Sequence, residues 1–252
     1  MPLGKRKRAK AAALQVQGIG APVEVRRHAG ARRLTLRVSK TRRAVIVTVP
    51  SGCRIEEAGR FLRSNIEWVR ERLGSVPESV PLAHGATIPL RGCPHEICFT
   101  GPVRGAPVVR RDHSAGDIPR LNVAGRLEHA ARRLKDWLVV EAQRDLDQRV
   151  AWHAANLGVR VRRIGLRDQT TRWGSCSANG HLSFSWRLIL APPHVLDYVA
   201  AHEVAHLLEM NHGARFWKLV ARSAPRLDEA RRWLRREGTE LHRYACEAVA
   251  KA

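Results

Sequence analysis

Aromatic residues are scarce in this chain, at 5% of 252 residues, and no stretch interleaves Tyr or Phe with basic residues. That argues against a stacking platform for nucleic-acid bases. Cysteines number five: Cys53, Cys93, Cys98, Cys176 and Cys246. An odd number at irregular spacing makes a disulfide framework a poor reading and fits reduced thiols in a cytoplasmic protein. Cys93-Pro94-His95-Glu96-Ile97-Cys98 has the outline of a metal knuckle but no second pair to complete one. No run is long and apolar enough for a membrane span, and none has the form of a secretory core. Internal repeats and a phosphate-cradling P-loop are also missing. Negative charge is outnumbered: 45 Lys and Arg face 23 Asp and Glu, a formal charge of +22. The excess is scattered rather than gathered in a stripe, which fits non-specific contact with polyanions better than dedicated recognition.

What is present is concentrated late in the chain. His202-Glu203-Val204-Ala205-His206 places two histidines four apart, which on a helix puts both rings on one side, a turn apart. One tetrahedral Zn²⁺ can accept both, and the glutamate beside the first can reach a water held by that ion. Pro192-Pro193 signals a helix start. From His194 to Met210 the residues are apolar nearly all round, which predicts a buried helix. Histidines and a glutamate inside such a helix need partners, and one cation would satisfy both rings.

The third ligand is read as His212, beyond the expected helix end, with Asn211 in the left-handed conformation that turns the chain back. Asp228 or Glu229 is the alternative. Glu209 is set aside, because residues at i, i+4 and i+7 spread over about 10 Å of helix axis. Three ligands leave the fourth position to water, as in a catalytic site.

The rest of the chain reads as an α+β protein. Residues 1–20 form a basic tail, expected to be disordered. Residues 21–110 form a β-rich domain with one amphipathic helix from Ile55 to Leu73. The strands Ala31–Val38 and Ala44–Val49 alternate as half-buried strands do. A polar, turn-rich boundary falls at 111–120, and 121–252 form the domain that carries the histidines. There, Val123 to Leu157 holds a long helix ended by Gly158. Strands follow over Val161–Leu166 and about Thr171–Ser177, and the Asn179-Gly180 turn returns the chain as a strand over Leu182–Leu190. Helices are expected over Ala214–Ala221 and from Arg226 to about Val249. A strand edge beside such a metal helix can hold an extended peptide by strand addition.

Several segments carry a likeness to a known family. They are Asp168–Ser177 (DQTTRWGSCS), Phe184–Pro193 (FSWRLILAPP), the HEVAH motif at 202–206 and Asn211–Trp217 (NHGARFW). Together they resemble the bacterial YgjP-like metallopeptidases, relatives of the SprT-like and gluzincin zinc peptidases, most densely from Arg163 to Trp217. The resemblance implies an N-terminal β-rich domain followed by a zincin-like domain with a small sheet and an HExxH active-site helix. It also implies one Zn²⁺ per chain on His202, His206 and His212, with Glu203 as the base. The spacing from His206 to His212 equals that of metzincins, but Glu209 stands where their helix-ending glycine would be.

The chemistry so implied is amide hydrolysis of a peptide or unfolded protein. Arg172, Arg187, Tyr198 and His194 are candidates to stabilise the oxyanion. Hydrolysis of a phosphoanhydride, as by a nucleoside-triphosphate pyrophosphohydrolase, is the alternative within metal chemistry. A non-enzymatic nucleic-acid-associated protein is the alternative outside it.

Overall fold

The computed structural model describes residues 12–14, 18–39, 41, 43–76, 78–114 and 116–245. The basic run at residues 1–10 and Cys246 lie outside them. Contacts divide the chain into two units, Met1–Glu78 and Ser79–Ala252.

The first unit holds β1 (Ala12–Leu14), β2 (Val23–Arg27), β3 (Thr35–Ser39) and β4 (Ala44–Val49) in one sheet of order β1-β2-β4-β3. β2 and β4 are parallel; the other pairs are antiparallel. β4 lies between two strands, and Val45, Ile46, Val47 and Val49 are all buried. It is therefore covered on both faces rather than half-buried as its alternation suggested.

The helix expected over Ile55–Leu73 is two helices, α1 (Ile55–Ser64) and α2 (Ile66–Gly74). Asn65 breaks it. Its side-chain amide donates to the Phe61 carbonyl at 2.8 Å, and its own φ and ψ (−117°, 22°) are non-helical. An Asn side chain competing for a helical carbonyl is a known interruption. Leu62, Val69 and Leu73 pack against Val23, Val25, Val45, Val47 and Val49.

The second unit begins with β5 (Val80–Pro81), β6 (Thr87–Leu90), β7 (Cys93–Gly101), β8 (Val109–Asp112) and β9 (Arg120–Ala124). The last four form a sheet of order β6-β7-β9-β8. The boundary expected at 111–120 thus falls inside a sheet. That segment spans the end of β8, the loop that follows and the first residue of its antiparallel partner β9. Its polarity comes from lying on the surface, not from separating cores. Ile88, Leu90, Ile97, Leu121 and Val123 share one core with Leu134 and Leu138 of α3 (Ala130–Leu157). α3 buries Leu134, Leu138, Ala142, Leu146 and Val150, one residue per turn. Gly158 ends it at φ +66°, the left-handed cap that glycine adopts without strain.

Three strands follow: β10 (Arg163–Arg167), β11 (Gly174–Cys176) and β12 (His181–Ser185), in the order β10-β12-β11. β11 and β12 are antiparallel across the expected turn, with Gly180 at φ +71°. The strand expected to run on to Leu190 stops at Ser185. Trp186–Leu190 is a fully buried 3-10 turn, started by the Ser185 hydroxyl accepting from the Arg187 N–H. An all-buried run loses the alternation of a strand with one solvated face, so periodicity alone could not separate the two.

Then come α4 (Pro193–Ala205), α5 (Ala214–Ser223), α6 (Leu227–Glu237) and the short β13 (Tyr244–Ala245), which pairs with β5. The helix expected from Arg226 to Val249 therefore ends at Glu237, within the described residues. The fold is mixed α+β, with small sheets and six helices among the described residues. No helix among them is long and apolar enough to cross a membrane.

Candidate metal centre

α4 is apolar nearly all round and buries Val195, Leu196, Val199, Ala200, Ala201, Val204 and Ala205. It ends earlier than its composition suggested. His206 is its C-cap, and the N–H groups of Leu207 and Leu208 bond to the carbonyls of Val204 and Ala205, tightening the last turn. Leu208 and Met210, expected inside a buried helix, are half exposed. Asn211 is not left-handed: among the described residues the non-glycine positions with positive φ are Arg43 and Arg91. The tight turn after His206 brings the chain around instead. The Gly213 N–H then bonds to the Asn211 carbonyl at 2.8 Å.

This path brings His202, His206 and His212 together, with a ring nitrogen of each lying within 4.8 Å of the other two. Nε2 of His212 is 3.1 Å from Nε2 of His202. Imidazole nitrogens bound at roughly 2.0–2.1 Å to one tetrahedral zinc stand about 3.3 Å apart, so the spacing suits a shared ion. Nδ1 of His206 lies 3.0 Å from the Glu209 carbonyl. A carbonyl only accepts, so Nδ1 carries the proton and Nε2 keeps its lone pair. The Tyr198 hydroxyl is 3.5 Å from Nδ1 of His202. Glu209 thus contributes its backbone. Asp228 and Glu229 are engaged by Arg231 and Arg226 and do not join the histidines.

Phe216, on α5, is fully buried and walls the cluster. Its ring stacks on His206 at 4.5 Å and meets His202 and His212 edge-on at 4.8 and 4.7 Å. Burial, reinforced by the other two histidines and Arg231, pushes His202 down to about 4, so its ring is neutral at physiological pH and available as a ligand. Burial also lowers His206.

Glu203 faces β11. Burial raises its carboxyl to about 7, and the nearby Arg172 charge opposes the rise. A carboxyl held there can both take and give a proton at neutral pH. The side chain has room only because residue 174 is glycine. A Cβ at that position would stand 2.5 Å from Glu203 Oε1 and 2.6 Å from its Cγ.

The four candidates for oxyanion stabilisation separate clearly. Arg187 is bound to Asp168 at 2.9 Å and to the carbonyls of Leu241 and Tyr244, a structural clamp. His194 lies on the first turn of α4, about 12 Å along the axis from His202, beside Glu229. Tyr198 is turned to His202. Arg172 is exposed, has no hydrogen-bond or ion-pair partner among the described residues, and acts electrostatically on Glu203. Gly174 and Phe216 were not singled out from sequence. The available signals were an isolated glycine within a strand, which marks close approach, and an aromatic one turn after His212. Cys53, Cys93, Cys98 and Cys176 are free thiols. The Cys93–Cys98 segment forms no metal cluster among the described residues.

A core helix carrying convergent imidazoles and a buried carboxyl is set against a small mixed sheet, an arrangement consistent with a zincin-like metallopeptidase domain. The family described as YgjP-like, metallopeptidase domain, matches residues 32–237, and the chain belongs to that family. No curated protein matches it. Among solved structures, the crystal structure of the metallopeptidase zymogen of Pyrococcus abyssi abylysin is similar over 36% of this chain and 95% of that one. The identity is 17% and the TM-score 0.32.

Proposed function

We propose that the chain is a zinc peptidase in which His202, His206 and His212 hold one ion and Glu203 is the general base. The observation that carries the reading is the convergence of three imidazole nitrogens within 4.8 Å beside a buried carboxyl. The donor chemistry fits zinc: three imidazoles and no carboxylate among them, unlike the oxygen-rich shells that hold Mg²⁺. The same donor set argues against the phosphoanhydride alternative. Zn²⁺ bound there would supply Lewis acidity, lowering the pKa of water toward about 7 and polarising a carbonyl.

The chain's own groups do the rest. Glu203 takes a proton from the attacking water as its oxygen bonds to the amide carbon. It then delivers that proton to the leaving nitrogen as the C–N bond breaks. Arg172 offers its unpaired guanidinium to the charge that develops on the carbonyl oxygen. β11 is at the edge of its sheet and presents an open strand to an extended peptide or unfolded segment.

Glu203→Gln tests the assignment. The protein should retain one equivalent of zinc and lose peptide hydrolysis, by about 10²-fold or more. Full turnover by the zinc-loaded variant would remove Glu203 from the mechanism. His212→Ala should bind markedly less zinc than wild type. A normal zinc content in that variant would place the third ligand elsewhere.

A further inference from the structure

A groove of about 470 Å³ opens beside the histidine cluster and shares His206 with it. Arg160 and Arg162, from the connection between α3 and β10, line one side. Ser177 and Asn179, from the β11–β12 turn, line another, and Leu207 and Met210 complete it. No carboxylate lines the groove. Other arginines of the unit, among them Arg91, Arg144, Arg149, Arg187 and Arg226, pair with acids. Arg160 and Arg162 are exposed, and their side chains have no hydrogen-bond or ion-pair partner among the described residues.

The groove also lies at a defined distance from the reacting centre. Gly174 of β11 packs against Glu203, and Ser177, three residues on, lines the groove. Three strand residues span about 10 Å. A peptide extended along β11, with its susceptible amide at Glu203, therefore brings a residue two or three positions away over the two guanidiniums.

We infer that this groove selects substrates carrying a carboxylate, either an Asp or Glu side chain or the free C-terminus, two or three residues from the bond that is cut. Arg160 and Arg162 make charge-assisted hydrogen bonds to it, and Leu207 and Met210 cover the apolar part of the residue. The inference rests on the peptidase reading for its register along β11.

The test uses the full-length protein and amidated peptides that differ only by Glu or Gln at positions two and three on either side of one cleavable bond. A further all-Gln peptide ends there in a free carboxylate. Binding to zinc-loaded Glu203→Gln is read by fluorescence anisotropy, and kcat/KM with the wild type. One Glu position, or the free terminus, should bind about tenfold tighter than its neutral counterpart, and the responding peptide identifies which source of carboxylate is used. Arg160→Gln/Arg162→Gln should abolish that preference and leave cleavage of the all-Gln peptide unchanged. Equal affinity for every peptide, or a preference that survives the double substitution, overturns the inference. Cleavage without acid preference would leave the peptidase reading standing alone. Acid-selective binding without any cleavage would leave the groove standing and remove the peptidase reading.

Discussion

At the scale of single residues, the site depends on one hydrogen atom. Gly174 has an ordinary strand backbone, so its value lies in space alone: the carboxyl of Glu203 occupies the volume that a Cβ would fill. Gly174→Ala should therefore leave zinc content near that of wild type and lower the thermal midpoint, since the buried Glu203 must move at Cγ as well as at its carboxyl. It should also lower kcat for a peptide by about 10²-fold, the effect of roughly 1 Å of misplacement at a reacting group. Unchanged kcat would show that Glu203 acts from another position. A second residue-scale prediction concerns Asp197, which accepts from His153 at 2.8 Å and from Arg149 at 2.5 Å. Burial alone would push its carboxyl up, but these hydrogen bonds outweigh it and hold the group below its ordinary value of 3.8. The unfolded chain then takes up the proton first. The stability from this pair is complete above about 3.8 and is lost as pH falls through the lower folded value. Asp197→Asn should lose about 1–3 kcal/mol near neutral pH and show a flatter decline in urea midpoint below pH 3.8. An unchanged acid limb would assign that decline to other carboxyls.

At the scale of elements, the turn between β6 and β7 is the joint that aims α4. The N–H groups of Arg91 and Gly92 bond to the carbonyls of Ile189 and Leu190, and a Cβ on Gly92 would meet Pro192 Cα and Cγ at 3.0 Å. Gly85 has the same φ of +79° with nothing within 4 Å. Gly85→Ala thus measures backbone strain alone, and Gly92→Ala adds the collision. Urea unfolding should find Gly92→Ala the more destabilised, by about 1–3 kcal/mol; equal losses would mean that Pro192 yields freely. Elements with strong periodicity and a capping glycine, α3 above all, were legible in the sequence, although the helix expected from Val123 begins at Ala130 and Val123 belongs to β9; so were the β11–β12 turn and the segments that carry the histidines. Three features were not. The break at Asn65 depends on a side-chain amide finding a carbonyl four residues back. The 3-10 turn at Trp186–Leu190 hides in a run buried on every side. Arg91 holds φ +52° as the first residue of the two-residue β6–β7 hairpin turn, followed by Gly92 at φ +79°, and its guanidinium is clamped there by Asp145 and Glu141, some fifty residues away. The first two are local competitions with close energies, and in the third a non-glycine residue stands in a turn that favours glycine or asparagine, with a tertiary clamp that no short window contains.

At the scale of the whole molecule, the question is which stretch of chain can build the metal centre unaided. The polar stretch at 111–120 invites a cut there, since composition changes abruptly and glycine and proline gather nearby. The core argues otherwise. Leu82, Ile88, Leu90, Ile97, Leu121 and Val123 belong to the same buried cluster as α3 and α4. A chain starting at 121 would lose β6, β7 and β8, uncover the α3 face that they protect, and strip Glu141 and Asp145 of Arg91. Glu141 would keep Arg144 alone, and Leu134 and Leu138, fully buried in the core that they share with Ile88, Leu90 and Ile97, would meet water at a cost of roughly 1.5–3 kcal/mol each, a large share of a domain's typical stability of about 5–15 kcal/mol. A chain starting at Ser79 keeps all of these contacts. The fragment 79–252 should unfold in a single cooperative transition and bind one equivalent of zinc with wild-type affinity, whereas 121–252 should show no cooperative transition. Calorimetry with zinc titration distinguishes the two. A folded, zinc-binding 121–252 fragment would mean that the second sheet is an accessory to the metal centre and not part of the body that builds it.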